Sequence, residues 1–484
     1  MITAISNLEP KSLWNIFEEI TNIPRPSDHE EKIADFIINF AKTHNLKWEQ
    51  DAIGNVIVDI EATEDKKNSP CVILQGHMDM VAVVENGYEH DFLNAPIEAY
   101  VDNGKIRAKH TTLGADNGIA IAMMLSLVKE QNLSHGPLRF IFTVCEETSM
   151  KGALNLDKKY LQGDYLINLD SEDNGYLFVA CAGSADINLK FNYEAVKTEN
   201  TKAITFNLTG FKGGHSGADI HLGRANAIKL LAAILNNLSD NFDFFIQDIQ
   251  GGTVRNSIPA KASVTVAVDV NQFDEFKNAF KQQFDKQRKI YEDTDPALDY
   301  TTASATVTEA LATSQTLDLI HLLQALPDGV AKISPIYEGN IIQTSINTGV
   351  VSTEKNRVNI CLLPRSLSNL ELEEMINKVV ALCDLVEEDL EVEVSNQHQA
   401  WCSPKENKLI DVLTKTYKQE TSQELKITAL HAGVECAQFA ALNPQLQLVS
   451  IGPTIEHPHS IEESLDIKGT KEIYSTLVRA LAML

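Results

Sequence analysis

Thiols, positive charge and long apolar runs are all in short supply in this chain, and each shortage removes a class of function. Seven cysteines in 484 residues, an odd number with no Cys-x-x-Cys pair, argue against a disulfide framework and against a thiolate metal site. Cys71, Cys145 and Cys361 lie in apolar, strand-like runs and read as buried free thiols. Lysine and arginine total 41 against 67 aspartates and glutamates, a formal net charge of −26. Nucleic acid and anionic membrane both require basic patches, so neither is expected as a partner. The longest apolar stretch, Ile119–Val128, is too short to span a bilayer. Residues 1–19 lack a basic segment followed by an apolar core, so no secretory leader is read there and a cytoplasmic location is expected. The remaining composition, 44% hydrophobic and 22% charged, is that of a soluble globular protein, and the length favours two domains.

Against this background, five short acidic or histidine-bearing segments stand out. They are Gln75-Gly76-His77-Met78-Asp79, Leu113-Gly114-Ala115-Asp116-Asn117-Gly118, Cys145-Glu146-Glu147, Leu169-Asp170-Ser171 and His457-Pro458-His459. Four of them follow continuous apolar runs: Val72–Leu74, Phe140–Val144, Tyr165–Leu169 and Leu446–Ile451. Such runs read as strands buried on both faces. Helical patterns at Glu30–His44, Ile119–Lys129 and Asn407–Gln419 lie between them, which predicts a mostly parallel α/β sheet with helices on both faces. Ligands bind such sheets outside the carboxyl ends of the strands, where these segments fall. Histidine and carboxylate without cysteine suit Zn²⁺, Co²⁺ or Mn²⁺ in a hydrolytic site, and five such segments point to a two-metal hydrolase.

Spacing suggests roles. His77 and Asp79 are two apart, so in an extended segment they share a side. Asp79 is then placed to fix the tautomer of a metal-binding His77 through the other ring nitrogen. Glu146 and Glu147 are adjacent and diverge, leaving one to ligate and the other to accept a proton. Asp116, in a glycine-flanked turn before a helix, is placed to bridge two ions.

These segments, together with Asp170-Ser171-Glu172 and Pro458-His459-Ser460, resemble the dinuclear-zinc M20 metallopeptidases, specifically their aminoacyl-histidine dipeptidase branch. Gly210–Gly217, Gly251–Asn256, His431–Cys436 and Ser450–Thr454 extend the resemblance, which runs from about Leu13 to the C-terminus. It implies two divalent ions, Zn²⁺ first and Co²⁺ or Mn²⁺ as alternatives, held by His77, Asp116, Glu147, Asp170 and His459, with Asp116 as the bridge. It implies Glu146 as general base and Asp79 as its catalytic neighbour. Of the two late histidines the family's Pro-His-Ser pattern selects His459, leaving His457 at the rim. His215 would stabilise an oxyanion, reaching another subunit's site in a homodimer. Arg365 would grip a substrate carboxylate, with Asn256, His431, Gly433 and Glu435 as further substrate-pocket elements.

Four of the five segments precede residue 175 and the last follows residue 455, so the stretch between them must be inserted. The expected organisation is a discontinuous catalytic domain, residues 1–186 and 397–484, with an α+β lid and dimerisation domain at 187–396. Strands are expected there at Ala262–Val268 and Asn359–Leu363, and helices at Gln272–Arg288, Leu317–Leu326 and Leu372–Val386; Thr294–Thr306 reads as a loop. The resemblance implies hydrolysis of Xaa-His dipeptides, β-alanyl-histidine included. Other hydrolases of the same superfamily, tripeptidases, aminoacylases or N-deacylases, would share the metal residues. A binding protein that has lost the chemistry would show a broken ligand set, and this set is intact.

Overall fold

The computed structural model describes residues 5–130, 132–386, 389–404 and 406–484. The first four residues of the stretch read for a leader therefore lie outside the described residues. Two compact units divide the chain: Met1–Ala180, Trp401–Ala429 and Val434–Leu484 form one, and Cys181–Ala400 with Leu430–Gly433 forms the other. The insert thus begins earlier than residue 187 and ends later than 396. Strand pairing explains this. Gly183–Asn192 and Leu390–His398 are neighbours in the insert's own sheet. The short segment Leu430–Gly433 joins them because the carbonyl of Leu430 accepts the Ala182 N–H at 3.0 Å.

The first unit is built on a sheet whose order is Lys47–Gln50, Val56–Ile60, Leu138–Thr143, Val72–His77, Tyr165–Asn168, Gln447–Ser450, Tyr176–Cys181 and Trp401–Cys402, with Lys426–Leu430 also pairing to Tyr176–Cys181. The four strands from Leu138–Thr143 to Gln447–Ser450 are parallel, and the outer ones are antiparallel. Every residue of Val72–His77 and Tyr165–Asn168 is buried, so both sheet faces are covered. The helices expected from the sequence are found at Glu31–Thr43, Ala115–Leu127 and Lys408–Thr421. Ala115–Leu127 is buried along its whole length, packing on Val72–His77 on one side and on the helix Lys11–Thr21 on another. That burial explains its lack of a polar stripe. The α/β architecture is the one expected.

The second unit is an antiparallel sheet in the order Asp299–Ala305, Thr201–Thr209, Ala262–Asp269, Phe244–Gly251, Ile342–Glu354, Arg357–Ser366, Gly183–Asn192 and Leu390–His398. Its helices are Ala227–Ser239, Phe273–Ile290, Thr313–Ala325 and Asn369–Cys383. Phe276, Phe280 and Phe284, one helical turn apart, form the buried stripe of Phe273–Ile290, and Phe280 stacks on Phe206 of the sheet. The stretch Thr294–Thr306 is not a loop throughout: Asp299–Ala305 is an edge strand against Thr201–Thr209. Its residues are mostly exposed, so it carries none of the apolar alternation by which strands are read. The buried-thiol reading holds for Cys145; Cys71 and Cys361 are only half-buried.

Candidate active site

All the expected metal ligands lie in the first unit, most of them beyond the carboxyl ends of the parallel strands. His77 ends one strand, Glu146 and Glu147 open the short helix after the second, and Asp170 follows the third by two residues. His459 lies further on, in the loop between the short strands Ile455–Glu456 and Ser464–Asp466. Asp116 sits in the first turn of Ala115–Leu127 but with extended backbone (φ −78°, ψ 105°), which turns its carboxylate out of the helix. The helix start lies hard against the strand bearing His77. A side chain at Gly76 would place its Cβ 2.4 Å from Asn117 Oδ1 and 2.7 Å from Ala120 Cβ, so only glycine permits the approach.

The geometry converges on Asp116. Its Oδ1 lies 3.0 Å from His77 Nε2, and its Oδ2 lies 3.0 Å from His459 Nε2. Asp170 Oδ1 is 3.6 Å from the same His77 nitrogen, and Glu147 Oε2 is 2.8 Å from the same His459 nitrogen. Two triads result, His77–Asp116–Asp170 and Asp116–Glu147–His459, sharing one carboxylate, with ligand atoms in each within 4.8 Å of one another. A third grouping, His77–Glu146–Glu147, overlaps both. His457 belongs to none of them; its carbonyl accepts the Ser460 hydroxyl and shapes the loop.

Asp79 organises two neighbours at once. Its Oδ1 lies 3.3 Å from His77 Nδ1 and accepts the Glu146 N–H at 3.0 Å, while Oδ2 accepts the Glu147 N–H at 3.2 Å and the Ser27 hydroxyl at 2.8 Å. Nδ1 is thereby committed to Asp79, and Nε2 is turned to Asp116 and Asp170.

Negative charge is in excess here, and burial sets the titration. Burial pushes Glu147 up to about 7, against the hydrogen bond from His459. It raises Asp170 to about 6 and Glu172 to about 10, and Glu146 well above the usual carboxylate range. Burial alone would raise Asp116 too, but hydrogen bonds from His459 and His77 hold it well below. Those two contacts with Asp116 and Glu147 raise His459 to about 11. Glu147 Oε1, Asp170 Oδ1 and Glu172 Oε1 are buried without a hydrogen-bond partner among the described residues. Clustered carboxylates with unspent oxygens, two imidazole nitrogens facing them and no thiolate form a donor set that fits divalent cations.

Glu435, expected as a substrate contact, is instead 1% exposed. Its Oε2 accepts from Gln75 Nε2 at 2.6 Å and from the Thr143 hydroxyl at 2.8 Å. The chain of bonds continues from Asn168 Nδ2 to Gln75 Oε1 and from Ser450 Oγ to Asn168 Oδ1, so it crosses all four parallel strands. Burial raises Glu435 to about 7, against the charge of His77. Having no surface to offer a peptide, it belongs to the floor of the centre. Two buried charged residues beside the centre, Arg25 and Glu463, 2% and 3% exposed, do not stand out in the sequence. Their only sequence signals are the flanking prolines of Pro24-Arg25-Pro26 and the four-residue spacing from His459.

The other expected residues, His215, Asn256, Arg365, His431 and Gly433, lie in the second unit. There Ile187, Leu189 and Phe191 with Val358, Ile360 and Leu362 face the core. Ser184, Asp186 and Arg365 are out of phase with them and project from the opposite face. Arg365 is paired across the sheet with Ser345 on one side and Ser184 on the other, and Ser184 with His398, forming one polar row. His431 joins it through Nε2, 2.7 Å from Ser345 Oγ. Burial and the charge of Arg365 lower His431 to about 3 and also lower His215, so both rings are neutral. His215 Nδ1 accepts the N–H groups of Gly217 and Ala218, which places the proton of the neutral ring on Nε2. Arg365 is 7% exposed, its Nε has no hydrogen-bond partner among the described residues, and burial lowers it to about 10. The nearby Asp186 is spent on Arg255 at 2.5 Å and Asn396 at 2.7 Å. Asn256 and Gly433 are exposed at the edge of this cluster's segments.

Comparison with known proteins gives a concordant result. The profile of Peptidase family M20/M25/M40 matches residues 73–483. The chain is 36% identical to the cytosol non-specific dipeptidase of Escherichia coli (strain K12), over 99% of each chain. Its fold matches that of the aminoacylhistidine dipeptidase from Vibrio alginolyticus with a TM-score of 0.88 and 33% identity, covering 100% of this chain and 98% of that one. The aminopeptidase PepT from Bacillus cereus, at 16% identity and a TM-score of 0.59 over 98% of each chain, shares the fold. With a family profile spanning most of its length and a full-length relative at this identity, the chain belongs to the M20/M25/M40 family of peptidases.

Proposed function

We propose that the protein is a cytoplasmic, metal-dependent dipeptidase that cleaves Xaa-His dipeptides, β-alanyl-histidine among them. The observation that carries this reading is Asp116, with one carboxylate oxygen on each of His77 and His459. His77, Asp116 and Asp170 would hold one divalent ion, and Asp116, Glu147 and His459 a second, Zn²⁺ being the first choice and Co²⁺ or Mn²⁺ alternatives. Such ions supply Lewis-acid polarisation of a peptide carbonyl and make a neighbouring water acidic.

The chain's own groups do the rest. Asp79 fixes the backbone of both adjacent carboxylates, but Glu147 is engaged by His459, whereas Glu146 has no such contact among the described residues. Glu146 therefore takes the proton of the attacking water and delivers it to the leaving amine. His215 presents a neutral Nε2–H as donor to the oxyanion that develops on the carbonyl. Arg365, a buried guanidinium without an ion partner among the described residues, receives the substrate's α-carboxylate. His431, with Nε2 2.7 Å from Ser345 Oγ, adds a neutral polar ring to the same row. Asn256 and Gly433 complete that end of the pocket. A carboxylate one residue further along would lie more than ~3.3 Å beyond the clamp, which confines the reaction to dipeptides. The second unit would also mediate a homodimer in which His215 serves the neighbouring subunit's centre. The cytoplasmic setting follows the name of the E. coli relative, and no helix among the described residues is long and apolar enough to cross a membrane.

The two full-length relatives differ in what their names say of specificity, one non-specific and one aminoacylhistidine, so kinetics must decide. The metal-loaded enzyme is offered Ala-His, β-Ala-His, Ala-Leu, Ala-His-amide, a tripeptide and an N-acyl amino acid. Preference for the first two, with little turnover of the amide, supports the proposal. Equal rates on the amide would remove the carboxylate clamp, and preference for the N-acyl amino acid would move the chain to the deacylases.

A further inference from the structure

We infer that Arg25 and Glu463, neither of them a ligand, form a buried staple that fixes Asp116 between its two histidines and so sets the spacing of the two-ion centre. This rests on the reading of His77, Asp116 and His459 as ligands. Glu463 spends its whole carboxylate on one turn: Oε2 accepts the N–H groups of Leu113 at 2.7 Å and Gly114 at 3.0 Å, and Oε1 those of Ala115 at 2.8 Å and Asp116 at 3.4 Å. It stands four residues after His459 in a loop closed by its own N–H on the Ser460 carbonyl at 3.1 Å. The bridging turn and the His459 loop, some 350 residues apart in sequence, are thus one hydrogen-bonded unit.

Arg25 ties the same turn to the other histidine. Its Nη1 donates to the carbonyls of Met78 at 2.9 Å and Asp79 at 2.8 Å, and its Nη2 to the carbonyl of Gly114. The helix start closes on the guanidinium: a Cβ at Gly114 or Gly118 would lie 2.7 or 2.6 Å from Nη2. Asp116 has non-helical backbone, so the helix hydrogen-bond ladder does not hold it, and these two side chains supply the constraint. Two buried charges cost more than an apolar filling of the same space would. What they deliver in return is position, which matters where ligand distances must hold to about 0.2 Å. Both are positioning residues.

The test uses the full-length protein. Glu463→Gln turns an amide N–H₂ toward backbone donors, and Arg25→Lys keeps the charge but cannot span three carbonyls. Glu462→Gln, an exposed neighbour, is the control. Co²⁺ titration followed by visible absorption should show the second ion bound roughly 10–100-fold more weakly in both variants and unchanged in the control. Electron paramagnetic resonance should show the coupling between the two ions lost, and kcat should fall with KM unchanged. Hydrogen exchange of metal-free protein gives a readout independent of ions: the amides of residues 113–116 should lose protection in Glu463→Gln while the central strands keep theirs. If wild-type protein binds fewer than two ions while these amides respond as stated, the two-ion reading fails and the staple survives. Wild-type ion affinity and coupling in folded Glu463→Gln overturns the staple. Should Glu463→Gln not fold, Arg25→Lys carries the same test, and wild-type affinity in that variant overturns it equally.

Discussion

The two functional clusters of this molecule are opposites. In the first unit carboxylates crowd together and burial raises Glu146, Glu147, Asp170 and Glu172. In the second, Arg365 stands buried beside two neutral histidines while Asp186, the acid whose charge acts on it, is spent elsewhere. Each has unsatisfied charge of one sign, and buried charge of one sign is costly. The remedies differ. A carboxylate shed of its charge by a proton waits at little cost for a resident cation. A guanidinium lowered only to about 10 stays charged at neutral pH and can be relieved only by an anion that arrives from outside. Under the proposed function, the first cluster is a site for a resident ion and the second a site for a transient substrate carboxylate.

Substitution should break the two sites in different ways. The largest effect is expected in the acidic cluster. Glu146→Ala should lose about 10²–10⁴-fold in kcat yet keep both ions on elemental analysis. Asp116→Ala should lose ions and activity together. Ions gone from Glu146→Ala would reverse the roles given to the adjacent carboxylates. His215→Ala should cost roughly 10²–10³-fold in kcat, as loss of an oxyanion donor does. Mixing it with Glu146→Ala should restore some activity through hybrid dimers; no recovery after confirmed subunit exchange would confine His215 to its own subunit. Arg365→Ala removes a charge-assisted bond worth about 1.5–3 kcal/mol, roughly 10–150-fold in kcat/KM on Ala-His. On Ala-His-amide the variant and the wild type should be alike. A loss of equal size on both substrates would show that Arg365 supports the sheet rather than the carboxylate.

What was legible in advance follows the same division. The first unit announced itself because its strands are buried on both faces. Val72–Leu74 is an unbroken apolar run and Tyr165–Leu169 is broken only by Asn168, and chemistry-bearing residues could be placed at their ends by counting. Asp299–Ala305 was not legible because, Tyr300 apart, it is an exposed edge strand of small and polar residues without apolar alternation. Glu435 misled because its sequence neighbourhood resembles a pocket wall, whereas Gln75 and Thr143 draw it inward across the sheet. Arg25 and Glu463 were invisible for a further reason: their partners are backbone atoms far away in sequence, and backbone atoms leave no trace in residue identity.

The smallest effect, and the one that most sharpens the contrast, is on stability against pH. In metal-free protein the raised carboxyls bind protons in the folded state that the unfolded chain has already released. Glu147 and Glu435, raised from 4.5 to about 7, and Glu172, raised to about 10, therefore contribute stability that is lost as pH rises above about 4.5. His459, raised from 6.5 to about 11, has the same sign, its contribution being lost as pH climbs toward that value. Asp79 and Asp116 are lowered, so their contribution is present above 3.8 and fails only on acidification below it, outside this window. Divalent ions compete with those protons and bind better as they leave. The gain in Tm on adding Co²⁺ or Zn²⁺ to chelator-treated protein should thus widen between pH 5.5 and pH 8, at roughly 2–4 °C or less per kcal/mol for a chain of this size. Glu172→Gln should flatten part of the metal-free slope, while Arg365→Ala, whose cation does not titrate in this range, should alter the slope only by freeing His215 and His431 from the charge that lowers them. An ion-induced gain in Tm that is the same at both pH values would mean that the acidic cluster is not neutralised by protons when ions are withheld, and the asymmetry drawn between the two sites would fall.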